Sequence, residues 1–350
     1  MKIKKNIVFG VIGISMILMF AFIFMLTSQN QSFQTVKIDK SNALWNLSLY
    51  EQTRKYQVWK ADKFLKSFET LEEAQYYALM MNDTYILDRE TQDRIEVNIP
   101  PYKVYSGMHF VCYANTFKQA VDEAKLHKNS QVHMSSTDEK IWGLYTGNGI
   151  QLEVEYISQF PELVLGCEVT SLAMLMNYMG YKVTKLELAQ NIEYDNTPYR
   201  VENGKRYYGD PSKGFLGSMF GTVKMSYGAN HEPIYRLLYK YASDRAVDVT
   251  GFEFEELYYF LEQGIPIWVI TNTTLKKLEE NEFYTWETPE GNKITATNKE
   301  HSVLITGYDK EYIYINDPLS QNSNKSGKKD FIEAWEQMGK QAVILLGDKN

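Results

Sequence analysis

The sequence predicts an α+β protein: two small α+β modules in tandem, then a larger domain in which a helix faces paired strands, all behind an N-terminal membrane helix. Three observations carry this reading. Residues 7–26 hold no charged side chain, and residues 56–97 and 102–143 match without gaps at an offset of 46. From about residue 152 a helical pattern is followed by strand and turn patterns that bring a histidine and an aspartate together. The 350 residues, more than one usual domain needs, divide into 1–29, 30–55, 56–101, 102–147 and 148–350.

Residues 7–26 rise about 1.5 Å each and so span roughly 30 Å, the hydrocarbon thickness of a bilayer. Lys2, Lys4 and Lys5 precede the run, which predicts the N-terminus inside and the rest of the chain outside. Cleavage as a signal sequence is the rival reading, but an apolar region of about 7–15 residues and a small-x-small cleavage site are usual there. Leu26-Thr27-Ser28-Gln29 matches such a site weakly, so a retained anchor is expected, with secretion after cleavage as the alternative. A polar stalk follows.

The repeat preserves local physics as well as identities. Tyr56/Tyr102, Val58/Val104, Phe64/Phe110, Thr70/Thr116, Ala74/Ala120, Ala78/Ala124 and Ile95/Ile141 coincide. Thr70-Leu71-Glu72-Glu73 and Thr116-Phe117-Lys118-Gln119 both have the form of a capping box. Apolar residues follow at helical spacing, and strand-like pieces flank each helix. Cys112, matched by Lys66 in the first copy, reads as a small apolar residue of a strand. The duplicated region therefore reads as a spacer or binding element with possible cell-envelope contacts.

Composition narrows the chemistry. A formal charge of −7 argues against a nucleic-acid partner, which asks for a basic face. Two cysteines exclude a disulfide scaffold and a Cys-rich zinc site, and the five histidines include no H-x-x-x-H pair. No metal and no cofactor are expected, so chemistry must come from side chains.

Gly166-Cys167-Glu168 opens a helical pattern (Val169, Leu172, Ala173, Met176, Met179) that Gly180 closes. Cys167 thus stands at a helix start, where unpaired amides and the macrodipole stabilise a thiolate and lower its pKa. A lone cysteine also suits a buried core position. Residues 300–308 and 312–318 read as two strands around an Asp309-Lys310 turn, which sets His301 opposite Asp317 or Pro318. A carboxylate there orients the imidazole, as a Cys-His-Asp triad requires. Gln159, eight residues before Cys167, suits an oxyanion donor beside the Cys167 backbone N–H.

These pieces, with Gly209-Asp210-Pro211, Gly214-Phe215, Asn316-Asp317-Pro318 and Gly339-Lys340-Gln341-Ala342, resemble the C39-like peptidases over residues 152–346. The resemblance implies a papain-like fold, with a nucleophile helix packed on an antiparallel sheet. It also implies Cys167 as nucleophile, His301 as general acid and base, Asp317 as orienting residue and Gln159 as oxyanion donor. One departure matters: transporter-linked relatives carry Asp-Cys-Gly at the nucleophile and face the cytoplasm, whereas this chain has Gly-Cys-Glu and is expected to face outward. Cleavage after a double-glycine leader does not carry over.

The expected function is extracytoplasmic hydrolysis of peptide bonds in a peptide or protein substrate. A catalytically silent surface binder of the same fold and an acyl-transferring thiol enzyme are the alternatives. The remaining features have plain readings. Glu168 complements the helix dipole, residues 209–221 with four glycines form a mobile loop near the cleft, residues 252–263 form a packed surface helix, and Tyr227 and His231 occupy solvated loops, with the lining of a substrate groove as their alternative.

Overall fold

The computed structural model describes residues 54–347 apart from 61, 80–83, 96, 98–99 and 224. The stretch 7–26 and the stalk lie outside the described residues, and no helix among the described residues is long and apolar enough to cross a membrane. The chain separates into two compact units, Met1–Asn98 and Ile99–Asn350.

In the first unit the strands are β1 (Tyr56–Lys60), β2 (Lys63–Phe68), β3 (Thr84–Asp88) and β4 (Arg94–Ile95), with helix α1 (Leu71–Leu79) after β2. They pair in the order β2-β1-β3-β4, all antiparallel. Alternation puts Val58 and Ile86 on the face that α1 covers with Ala74 and Ala78, and all four are buried. The helix starts where the Thr70 hydroxyl accepts the Glu73 N–H at 3.3 Å.

The second unit opens with the same order of elements: β5 (Tyr102–Ser106), β6 (His109–Ala114), α2 (Phe117–Ala124), β7 (Ser130–Met134) and β8 (Lys140–Trp142). The sheet order is β6-β5-β7-β8. Each copy carries a bulge at the same place, after Val58 in β1 and after Val104 in β5. At the bulge Trp59 meets Phe64 edge-on at 5.5 Å, and Tyr105 meets Phe110 edge-on at 5.9 Å.

The rest of this unit is built on one antiparallel sheet. Its strands are β9 (Ile150–Gln151), β10 (Ala246–Asp248), β11 (Ile267–Asn272), β12 (Glu300–Tyr308), β13 (Tyr312–Asn316), β14 (Lys325–Gly327) and β15 (Ala342–Leu345). They run β10-β15-β11-β12-β13-β14, with β9 beside the end of β12. All six residues of β11 are buried, as expected of a central strand covered on both faces. Helices α3 (Cys167–Tyr178), α4 (Lys185–Asn191), α5 (His231–Ala242), α6 (Phe254–Glu262) and α7 (Lys328–Gln337) surround it. Residues 167–176 of α3 are all buried, so this helix is the unit's central one. It ends at Gly180, φ +92°, as its spacing predicts.

Two expectations need correction. The helix at 252–263 is no surface helix: seven of the nine residues of α6 are buried. Phe254 meets Trp335 at 5.2 Å, while Phe260 meets Phe117 of α2 at 6.0 Å, so the second module covers the outer side of α6. The glycine-rich segment is not a loose loop either. Phe215 and Leu216 are buried and pair with Tyr194 and Asp195, and a Cβ on Gly214 would lie 2.5 Å from the Asp195 backbone nitrogen. Glycine is needed there for close approach of two backbones.

Candidate active site

The hairpin of β12 and β13 joins His301 to Asp317, by a slightly different route from the one its turn predicts. A bulge between Ile305 and Gly307 shifts the register, so Leu304 faces Asn316 and the ladder ends there. Asp317 then turns back. Its Oδ1 accepts the Leu319 N–H at 2.9 Å and lies 2.8 Å from His301 Nε2. Both side chains are buried, which strengthens the bond by excluding water. With Nε2 occupied, Nδ1 is the ring nitrogen left for a nucleophile.

Cys167 is the first residue of α3, so its backbone N–H has no partner one turn earlier. Two bonds seat the helix start against the strands that lead to His301. Ser171 Oγ donates to the Ser302 carbonyl at 3.2 Å, and Trp268 Nε1 donates to the Glu168 carbonyl at 2.9 Å. The sulfur, however, turns to Glu168, with the thiol donating to Oε2 at 3.3 Å. Cys167 is only 8% exposed.

The expected depressed thiol pKa is therefore corrected. Burial pushes the Cys167 thiol well above its ordinary value, and the Glu168 and Glu300 carboxyls push the same way. The Ser302 backbone N–H opposes them, and the helix start does not outweigh burial beside two acids. This geometry holds a protonated thiol on Glu168, not a thiolate on His301.

Glu168 stands in the first turn of α3, where an acid complements the helix dipole as expected, but it is drawn into the site. It is 1% exposed, and its Oε1 accepts the Ala229 N–H at 2.9 Å. The Cys167 sulfur and carboxylate oxygens of Glu168 and Glu300 all lie within 4.8 Å of one another. A Cβ on Gly228 would fall 2.5 Å from Glu168 Oε1 and 2.8 Å from Glu300 Oε2, so the bare glycine lets the chain close over both acids. Burial raises the pKa of Glu168, and burial followed by the charge of Glu168 raises that of Glu300 well above the usual carboxylate range. Tyr227, expected in a solvated loop, has its hydroxyl pushed well up by burial and by Glu300.

Gln159 is 1% exposed, and its backbone N–H donates to the Pro318 carbonyl at 3.0 Å, tying its loop to the turn after Asp317. Its side-chain Nε2 donates to the Val164 carbonyl at 2.8 Å. One amide N–H thus closes the 159–164 loop and only the other is left for an oxyanion. Lys185, which the sequence did not single out, holds this loop from the start of α4. Its Nζ donates to the carbonyls of Ser158 at 2.6 Å and Gln159 at 3.0 Å, and pairs with Glu162 at 2.7 Å. Glu300 was also passed over, although it adjoins His301 in sequence. A polar cavity of about 520 Å³ adjoins Asp317, lined by Glu153, Thr306, Asn316, Gln321 and Asn324 among others.

The other candidates lie elsewhere. Cys112 on β6 is half-buried, and burial raises its thiol pKa. His127 bonds Glu123 at 3.0 Å and His133 bonds the Asp138 carbonyl at 2.7 Å. His231 starts α5 and bonds Asp248 Oδ2 at 2.8 Å, not solvent in a loop.

The comparisons agree with this architecture. The model of the Peptidase_C39 like family matches residues 151–343. The chain is 42% identical over 201 residues to the uncharacterized protein YvpB of Bacillus subtilis (strain 168), covering 57% of this chain and 77% of that protein. A crystal structure from Bacillus anthracis, described as a candidate C39-like peptidase, aligns with a TM-score of 0.52 and 40% identity over 58% of this chain and all of that one. On the matched residues and the helix-on-sheet architecture beneath them, the chain belongs to the Peptidase_C39 like family.

Proposed function

We propose that the chain is an extracytoplasmic cysteine peptidase that hydrolyses peptide bonds through Cys167, His301 and Asp317. The observation that supports this most is the buried 2.8 Å His301–Asp317 pair on the strand against which the Cys167 helix packs. Asp317 fixes the ring with Nδ1 free. The Cys167 proton passes to that nitrogen once the sulfur leaves Glu168, and the thiolate attacks the scissile carbonyl. The Cys167 backbone N–H and the second N–H of Gln159 stabilise the oxyanion. His301 then protonates the leaving amine, and water resolves the acyl-enzyme. The uncharged run 7–26 behind three lysines supports a membrane anchor with the catalytic domain outside, and the matched bulges support two copies of one module as its spacer.

In a Cys112→Ser background, Cys167→Ala is expected to abolish both peptide hydrolysis and labelling by a thiol-directed electrophile, with the melting temperature nearly unchanged. Full hydrolysis by that variant would remove Cys167 from the mechanism. The buried, protonated sulfur favours a second reading, a silent peptide-binding protein. Peptide binding without hydrolysis by the wild-type chain, unchanged in Cys167→Ala, supports that reading.

A further inference from the structure

We propose that Glu168 and Glu300 are positioning residues that hold the Cys167 thiol protonated and turned to Glu168 in the resting protein. The inference rests on Cys167 as the reactive thiol and adds a control on it that the His301–Asp317 pair does not supply.

The argument begins with the direction of one bond. Cys167 S–H donates to Glu168 Oε2 at 3.3 Å, and this carboxyl is itself fixed, through the Ala229 N–H on Oε1 and the Trp268 indole on its backbone carbonyl. Glu168 therefore presents one free oxygen, and the sulfur occupies it. Glu300 reaches the same place from β12, with its Oε1 buried and without a hydrogen-bond partner. Gly228, lacking a side chain, closes over both carboxyls. Three acids within 4.8 Å in a dry site cannot all lose their protons, because each new negative charge faces the others at low dielectric. A thiolate on Cys167 would be the added charge of that kind, so the proton stays on sulfur.

The groups facing the cluster are few. His301 lies next to Glu300 on β12 and favours the charged form of Glu168 only when its ring is protonated, whereas Tyr194, Tyr227 and Tyr284, near one or other of the two acids, are neutral at ordinary pH. Among the described residues, no lysine or arginine is a leading influence on Cys167, Glu168 or Glu300. The acids thus have mainly each other's protons, and His301, to offset their charge.

The test reads the thiol directly and needs no substrate. In a Cys112→Ser background, alkylation of Cys167 by iodoacetamide is followed from pH 5 to 10. Glu168→Gln keeps an acceptor for the Ala229 N–H, and Glu300→Gln replaces a carboxyl whose Oε1 has no hydrogen-bond partner. Each is expected to move the alkylation midpoint to lower pH and to raise the rate at pH 7. One unit of midpoint shift is about tenfold in thiolate where the thiol is mostly protonated. The double variant should move further than either single one. A midpoint that stays in place, or moves up because Glu168 was accepting the proton to activate sulfur, overturns the proposal. A merely structural role would change melting temperature without moving the midpoint. Should the peptidase reading fail, the alkylation profile still decides this one, since it reports protonation and not turnover. If Glu168→Gln unfolds, Glu300→Gln alone decides.

Discussion

The two small modules share an order of elements and differ in the residues at the positions where the second meets α6. Both place valine and isoleucine or valine on the inner face of the sheet, two alanines on the helix above it, and a bulge with an edge-on aromatic pair at the same step. What differs is the outer set. The second copy has Phe117, Val121, Lys125 and Trp142 where the first has Leu71, Gln75, Leu79 and Glu96. Phe117 meets Phe252 and Phe260 at 5.5 and 6.0 Å, and Trp142 donates its indole N–H to the Glu256 carbonyl at 3.2 Å. The module's own fold needs only small and branched residues at a few positions. The contact with α6 and the residues around it is made by three others, Phe117, Lys125 and Trp142, and the matching positions 71, 79 and 96 hold different residues.

The largest effect should come from those aromatics. Phe117→Ala and Trp142→Ala each remove a buried ring from the contact with α6, and a loss of about 3–5 kcal/mol in denaturant unfolding is expected for each. Leu71→Ala, at the position matching Phe117, is half-buried and should cost about 1 kcal/mol. Equal losses at Phe117 and Leu71 would end the claim that attachment separates the copies.

The repeat shows why some of the molecule was legible in the sequence and some was not. Identities at a fixed offset, the Thr caps and the apolar spacing announce the modules, because each rests on neighbours in the chain. The placement of Cys167 at a helix start and of His301 against Asp317 was legible for a related reason. A helix start and a hairpin are local features, and the His301–Asp317 bond crosses a single turn. Burial was not legible: α6 has the pattern of a surface helix and becomes internal only because α2 lies against it. The same blindness affected Cys167. The helix start that should lower its pKa is visible in sequence, whereas the desolvation and the second carboxyl that raise it come from tertiary packing. Glu168 and Glu300 each stand one residue from a catalytic candidate, and that adjacency was the available signal. Lys185 gave none, since its carbonyl partners at Ser158, Gln159 and Phe160 are known only once the 158–164 loop is folded.

A smaller effect tests the polar part of the attachment. Lys125 Nζ pairs with Glu256 Oε1 at 2.5 Å, and the Glu256 side chain is only 5% exposed. Lys125→Met leaves that carboxylate buried without its cation, and a loss of about 1–3 kcal/mol is expected. The bond to Glu256 raises the Lys125 pKa above 10.5. A raised lysine pKa contributes stability fully below the unfolded value and loses it as pH climbs through the folded one. The gap between wild type and Lys125→Met should therefore be constant through neutral pH and shrink above about pH 10.5. A gap that instead stays constant as the lysine loses its proton would assign the loss to packing of its stem.

The smallest effect concerns what the copies have in common. Thr70 and Thr116 cap α1 and α2 by accepting the N–H of the third helical residue, at 3.3 and 3.2 Å. Each alanine variant should weaken its own helix by about 1 kcal/mol. Hydrogen exchange over residues 71–79 and 117–124 reads this as a roughly fivefold loss of protection in the affected helix. The cap lies at the opposite end of the argument from Phe117, because it belongs to the module's own fold and touches nothing across the attachment. Equal losses in the two helices would set the cap among the shared residues. A far smaller loss at Thr116 than at Thr70 would mean that contact with α6 holds α2 in place whether or not it is capped, and the division between fold residues and attachment residues would have to be redrawn at that helix.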